Sequence, residues 1–177
     1  SAWIDWLDYS LIQTSRHYDT ITYWLTDSLV IAQDSIYLEM TYLMSDSLYN
    51  LVPQTDTVLA VYRRPRMSEK AWEAQQRKKR ERKLEIKSNA SSKFEIYDTI
   101  RLYSPFPVDS VCVDKIHLAH RVDTTFQSMT FQLLPHDSLR QTLLLIAALE
   151  PAESYRLIVD SAAMVDIYGM CNDSTAY

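Results

Sequence analysis

The sequence predicts an all-β chain of two strand-rich units joined by a basic helix. Three observations carry that prediction. First, short apolar runs keep the two-residue period of a strand, most clearly in Ser35 to Leu43, where Ile36, Leu38, Met40 and Tyr42 share one face. Second, Asp is followed by Ser or Thr at 11 of its 15 positions. That step suits the passage from a turn into a strand, because the Asp side chain bonds nearby backbone amides and Thr favours extended structure. Third, Arg63 to Lys87 breaks the pattern: it holds 11 of the 18 Lys and Arg against 4 acids and reads as helix. Gly169 is the only glycine, so turns that need positive φ fall to Asn and Asp.

A length of 177 residues allows one large or two small domains, and 47% hydrophobic residues is ordinary for a folded chain, so wholesale disorder is not expected. No apolar run approaches the length of a membrane-spanning helix. The opening residues, Ser1-Ala2-Trp3-Ile4-Asp5-Trp6, lack the basic start of a signal peptide and begin directly in a strand-like pattern. The chain therefore reads as a fragment, with any export signal or lipid anchor outside it.

The first unit is residues 1–64. Trp3 to Leu7 reads as a strand end, and Thr20 to Leu25, Ser35 to Leu43 and Thr57 to Arg64 read as strands. Asp46 to Pro53 reads as a connection with a helical turn around Ser47 to Leu51. Four strands in 64 residues is thin for a free-standing sandwich of ~100 residues, so the unit reads as the C-terminal part of a larger domain.

Residues 65–83 form the basic linker. Pro65 stops the sheet, Ser68 suits an N-cap, Glu69 sits in the first turn and Arg77 to Lys83 place positive charge at the helix C-terminus. The predicted helix, Ser68 to Lys83, has no apolar stripe, and Trp72 is its one anchor.

The third segment, 84–177, holds about seven strands. Leu84 to Lys87 and Phe94 to Tyr97 flank a turn at Asn89–Ser92, and Thr99 to Tyr103 ends at Ser104-Pro105-Phe106-Pro107. Lys115 to Val122 pairs with Gln127 to Leu134 across Asp123-Thr124. Thr142 to Ala148 is a near-continuous apolar run, read as a strand buried on both faces, and Tyr155 to Asp160 turns Tyr155, Leu157 and Val159 inward. Seven short strands in this length suit an Ig-like β-sandwich.

A set of residues carries a family resemblance. Leu149-Glu-Pro151 leads into Tyr155-Arg-Leu157-Ile-Val159, then Ala162-Ala163, then Asp166-Ile-Tyr-Gly169-Met-Cys-Asn172. Upstream, Ile100-x-Leu102 runs to Pro105-x-Pro107-Val108. The arrangement resembles bacterial Ig-like modules of SbsA type. With Asp27-Ser-Leu, Asp34-Ser-Ile and Leu51-Val-Pro53 it also resembles Ig-like surface lipoproteins of Gram-negative anaerobes. Cys171 between Gly169 and Asn172, and Ala162-Ala163 in place of glycine, depart from the pattern. The resemblance implies a non-catalytic structural or interaction module of the cell envelope, on the outer-membrane, surface or periplasmic side. It implies protein partners there, no cofactor and no catalytic residues, and residues 1–64 become part of a preceding Ig-like domain. The alternative is a carbohydrate-binding accessory module of a glycan-uptake system, with Trp3, Trp6, Trp24 and the twelve tyrosines as stacking platforms.

Other chemistries find little support. His117 and His120 fall on opposite faces of one strand, and no zinc-ligand spacing exists. One glycine cannot build a phosphate loop, and no Gly-x-Ser-x-Gly elbow is present. The basic run lacks interleaved aromatics in a chain with pI near 5.3, which argues against nucleic acid. Each Asp-Ser/Thr pair is followed by Ile, Leu, Val, Ala or Thr, which resembles a periplasmic O-glycosylation acceptor, although turn-to-strand chemistry already accounts for it. On an Ig-like sandwich, Cys112 would fall in the B–C connection and Cys171 in the F–G connection, at the same end. In an oxidising envelope those two would be expected to pair as a disulfide; the alternative is two separate buried thiols.

Overall fold

The computed structural model describes residues 6–63, 65–90, 93–95 and 97–177. Strand accounts for 46% of the chain and helix for 12%, so the all-β expectation holds. The chain divides into two compact units, Ser1–Trp72 and Glu73–Tyr177.

In the first unit a helical turn, α1 (Trp6–Tyr9), leads into a small hairpin of β1 (Ser10–Thr14) and β2 (Ile21–Leu25). The strand-end reading of Trp3 to Leu7 thus fails at Trp6 and Leu7, and its earlier residues lie outside the described ones. Asp27 caps α2 (Ser28–Ile31), its carboxylate accepting from the Leu29 and Val30 amides. A long antiparallel ribbon follows: β3 (Ser35–Ser45) and β4 (Leu51–Val61), paired from Ser35↔Val61 to Ser45↔Leu51. Its turn has Tyr49 at φ 64 and is closed by Asp46, whose Oδ1 accepts from the Leu48 and Asn50 amides at 2.8 Å each. The helical turn expected at Ser47 to Leu51 is therefore a hairpin turn, and β4 begins six residues earlier than expected, at Leu51 instead of Thr57.

The basic stretch is helical as α3 (Glu69–Arg80), with the Ser68 hydroxyl accepting from the Ala71 amide at 3.3 Å. It stops three residues before the expected Lys83. The reason is Leu84, which is buried and bridges Asn172, so the chain must already be extended there.

The second unit is built on two four-stranded sheets. One has the order β10 (Gln132–Pro135), β11 (Thr142–Ile146), β6 (Ile100–Tyr103), β5 (Lys87–Ser88). The other has the order β14 (Thr175–Ala176), β12 (Tyr155–Val159), β8 (Ile116–Val122), β9 (Thr125–Met129). A short pair, β7 (Val108–Val111) with β13 (Met164–Asp166), completes the unit. The inward residues of both sheets share one core: Ile100 and Leu102, Leu143 and Leu145, Ile116 and Leu118, Leu157 and Val159. Alternation along each strand puts them there.

Four expectations for this unit need correction. The strand expected over Leu84 to Lys87 is an isolated bridge at Leu84, and β5 begins only at Lys87. Phe94 and Glu95 are not strand, and Ser91, Ser92 and Ile96, which belong to the expected turn and strand, lie outside the described residues. The β8 hairpin has the expected turn, with Asp123 at φ 51, but its return strand ends at Met129 and Gln132–Pro135 joins the other sheet. Finally, β11 is not buried on both faces: Leu143 and Leu145 point inward, while Ile146 is exposed.

Candidate functional site

The most unusual surface is the β3–β4 ribbon. Among the described residues of its unit only Ser10 and Val30 are buried. The ribbon holds large apolar side chains in the open on both faces. Tyr37 is 66% exposed, Leu43 62%, Leu51 64% and Leu59 48% on one face, and Tyr42, Met44, Val52 and Val58 are exposed on the other. A two-stranded hairpin is marginally stable alone, whereas three or more strands with an apolar face are self-sufficient. Local polar pairs hold this one: Thr41 and Thr55 hydroxyls at 2.9 Å, and the Tyr42 hydroxyl donating to Asp56 Oδ2 at 2.6 Å. That bond to Asp56 raises the Tyr42 pKa above its ordinary value. From His17 to Tyr62 there are six acids and no Lys or Arg, so the ribbon lies in a wholly acidic stretch.

Among the described residues nothing pairs with the ribbon's two outer edges, and the two differ. The Asp46 amide donates to the Asn50 carbonyl at 2.9 Å, and the Tyr62 amide to the Asp34 carbonyl at 2.9 Å. Both pairs are even-numbered and share the register of the ribbon. Ladder bonds alternate along an antiparallel pair, so even residues bond inward and odd residues turn N–H and C=O outward. Pro53 is odd. Its missing donor falls on the outer edge, where proline is tolerated, which is why β4 runs through it. The β4 edge is blunted by Pro53, while β3 carries no Pro, Lys or Arg.

The second unit has a groove of about 380 Å³ beside the turn that enters β12, lined by Phe94, Leu149, Glu150, Glu153, Tyr155 and Tyr177 among others. The Tyr155 hydroxyl accepts from the Glu150 amide at 2.6 Å and lies 3.4 Å from its carbonyl. Its ring lies 5.3 Å from that of His120, which bonds Glu153 at 3.2 Å. His117 bonds Asp160 at 3.0 Å instead, so the two histidines have separate partners, as their opposite faces require. Burial, and then the nearby Glu85, push the Tyr177 pKa up. Among the described residues no group of three or more His, Cys, Asp or Glu is placed to hold a metal.

The sequence-predicted site residues fare differently. Trp72 sits half-buried in α3. Cys112 and Cys171 are free thiols, the first exposed. The Cys112 amide donates to Ala163, at one edge of β13, while Cys171 bridges Val165 across the other edge. Two strand spacings and a two-residue offset put their Cα atoms roughly 12 Å apart. A disulfide reaches about 6.8 Å, so the expected pairing is corrected: β13 stands between the two cysteines. Trp3 and the Trp6 side chain lie outside what is described; Trp24 donates Nε1–H to Gln13 Oε1 at 2.9 Å.

In the sequence Asn172 stands out only as the end of a motif, yet it pins the second unit. It is 1% exposed and fully engaged. Its Oδ1 accepts from the Met164 amide at 2.8 Å, and its Nδ2 donates to the Asp160 and Asp173 carbonyls at 2.8 Å each. Asp166 closes the adjacent loop, accepting from the Tyr168 and Met170 amides.

No protein-family model, curated protein or solved structure matches this chain.

Proposed function

We propose that the chain is a non-catalytic interaction module of the cell envelope, in which an Ig-like sandwich supports an adhesive ribbon. The observation that carries the reading is the contrast between the units. The second buries a complete apolar core, while the ribbon of the first leaves apolar side chains open on both faces. Contiguous exposed apolar surface of this kind marks binding sites.

Strand order supports the Ig-like part. That fold places strands A, B, E and D on one sheet and C, F and G on the other. In order across the sheet β5, β6, β11 and β10 fit the first set, and β8, β12 and β14 the second, with β9 beside β8 as an added strand. The Tyr155 hydroxyl bonded back to Glu150, at the start of the strand in the F position, fits the tyrosine corner of such sandwiches. The envelope location rests on the resemblance to surface lipoproteins.

Co-sedimentation of the labelled chain with envelope membranes of a Gram-negative anaerobe tests the proposal. The chain binds, and a variant with Leu51, Leu59 and Val61 changed to Lys loses at least about tenfold in affinity. Equal binding by the variant removes the ribbon as the contact surface. Finding the natural gene product in the cytoplasmic fraction removes the envelope assignment.

The groove at Tyr155, with Phe94 and two carboxylates in its lining, favours carbohydrate binding as a second reading. A glycan array decides it: binding that is lost with Phe94→Ala supports it, and a blank array discards it.

A further inference from the structure

We propose that the free edge of β3 pairs antiparallel with β3 of a second copy of this chain, making a four-stranded sheet in the order β4-β3-β3-β4. This rests on the reading of the ribbon as the interaction surface and names its occupant.

The edge is chemically prepared for a strand. Ser35, Tyr37, Glu39, Thr41, Leu43 and Ser45 turn their N–H and C=O groups outward, by the alternation fixed at Asp46–Asn50 and Asp34–Tyr62. Among the described residues β3 is paired on one side only, with β4. Of the devices that blunt exposed edges, β3 carries neither Pro nor Lys and has the single charge of Glu39, whereas Pro53 occupies the equivalent outward position on β4.

The occupant follows from self-complementarity. A two-fold axis through Met40 is the one register that pairs all eleven residues of β3 with its own copy. The outward odd residues then face each other as Ser35–Ser45, Tyr37–Leu43 and Glu39–Thr41. The even residues face each other as Ile36–Met44, Leu38–Tyr42 and Met40–Met40. Every even pair is apolar on both sides, and no charge meets a like charge. Slipping the register so that residue 39 lies on the axis would set Glu39 directly against Glu39, which is unfavourable. In the full register the even apolar residues of both copies lie on one face of the new sheet, which satisfies the three-strand requirement that the lone ribbon fails.

The test is sedimentation equilibrium of the whole chain, with Glu39→Pro and Glu39→Ala beside the wild type. Proline at an outward position spares the ribbon's own ladder, as Pro53 does, but deletes one donor per copy at the new interface. The expected result is a wild-type dimer, a dimer with Glu39→Ala, and a self-association weakened roughly tenfold to a hundredfold with Glu39→Pro. In a background with Cys112 and Cys171 changed to Ser, Met40→Cys cross-links to dimer on oxidation, because the axial pair lies at about 4.5 Å between Cα atoms. Tyr37→Cys, which faces Leu43 instead of itself, does not.

A dimer untouched by Glu39→Pro overturns the proposal, and so does a wild type that stays monomeric. In the monomeric case the envelope binding of the β4 lysine variant separates the two readings. If that variant still loses binding, the ribbon serves a different partner and only self-pairing falls. If it binds like wild type, the interaction reading falls as well.

Discussion

Asn172→Ala should be the most damaging single polar substitution in the second unit. The side chain ties three backbone groups together: the Met164 amide in β13, the Asp160 carbonyl just after β12 and the Asp173 carbonyl. Asp160 and Asp173 are partly exposed, so their carbonyls can regain water and lose only a net bond, about 0.5–1.5 kcal/mol each. Met164 is 1% exposed, so losing the partner of its amide costs about 1–3 kcal/mol. The total is roughly 4 kcal/mol. For a unit of this size each kcal/mol moves the melting midpoint by about 4 °C or more, so a fall of about 16 °C is expected. Differential scanning calorimetry of the whole chain reads it. Tryptophan fluorescence would not, since Trp3, Trp6, Trp24 and Trp72 all lie in the first unit. Asn172→Asp sharpens the test. It replaces the donating nitrogen with an oxygen facing two carbonyls, so it should be worse than Ala at neutral pH. Burial raises the folded-state pKa of the new carboxyl, so stability should recover as pH falls through that raised value toward the unfolded one. A midpoint within about 2 °C of wild type for Asn172→Ala would refute the reasoning.

Other outcomes follow from the same geometry. Tyr155→Phe leaves the Glu150 amide without its 2.6 Å partner and should cost about 1 kcal/mol, a midpoint shift of about 4 °C in the same calorimetry. Gln54→Pro should abolish the ribbon by removing an inward ladder donor, while Pro53→Val should leave it intact, as read by amide protection along β3. The Asp46 carboxyl is held below its ordinary value of 3.8, chiefly by the Asn50 amide. Its contribution to the ribbon turn is therefore full above that ordinary value and is lost as pH falls through the depressed folded-state value. Asp46→Ala should remove that acid step from a pH titration of ribbon amide protection, and an unchanged step would exclude Asp46 as its source.

The sequence made some of this legible and concealed the rest for physical reasons. The Asp turns are readable because the side chain itself bonds the turn: Asp27, Asp46 and Asp137 all accept from amides two residues on. The inward triad Tyr155, Leu157 and Val159 followed from alternation alone. The start of β4 was hidden because Pro53 reads as a break unless the parity of its ladder position is known. The strands β7 and β13 were hidden by their shortness, four and three residues, and with β13 unseen the two cysteines looked adjacent. The pinning role of Asn172 carries no local signal, since its partners lie up to 12 residues away. The open ribbon was equally invisible, because exposure depends on what a strand packs against and not on its own pattern.

The ribbon as working surface is the central claim, and residue-resolved amide exchange along β3 tests it most directly. The account predicts that the outward amides of Tyr37, Glu39, Thr41 and Leu43 gain protection as protein concentration rises, while core amides such as Leu118 and Leu145 stay constant. Outward amides that exchange at the same unprotected rate at every concentration, and with envelope membranes added, would contradict it.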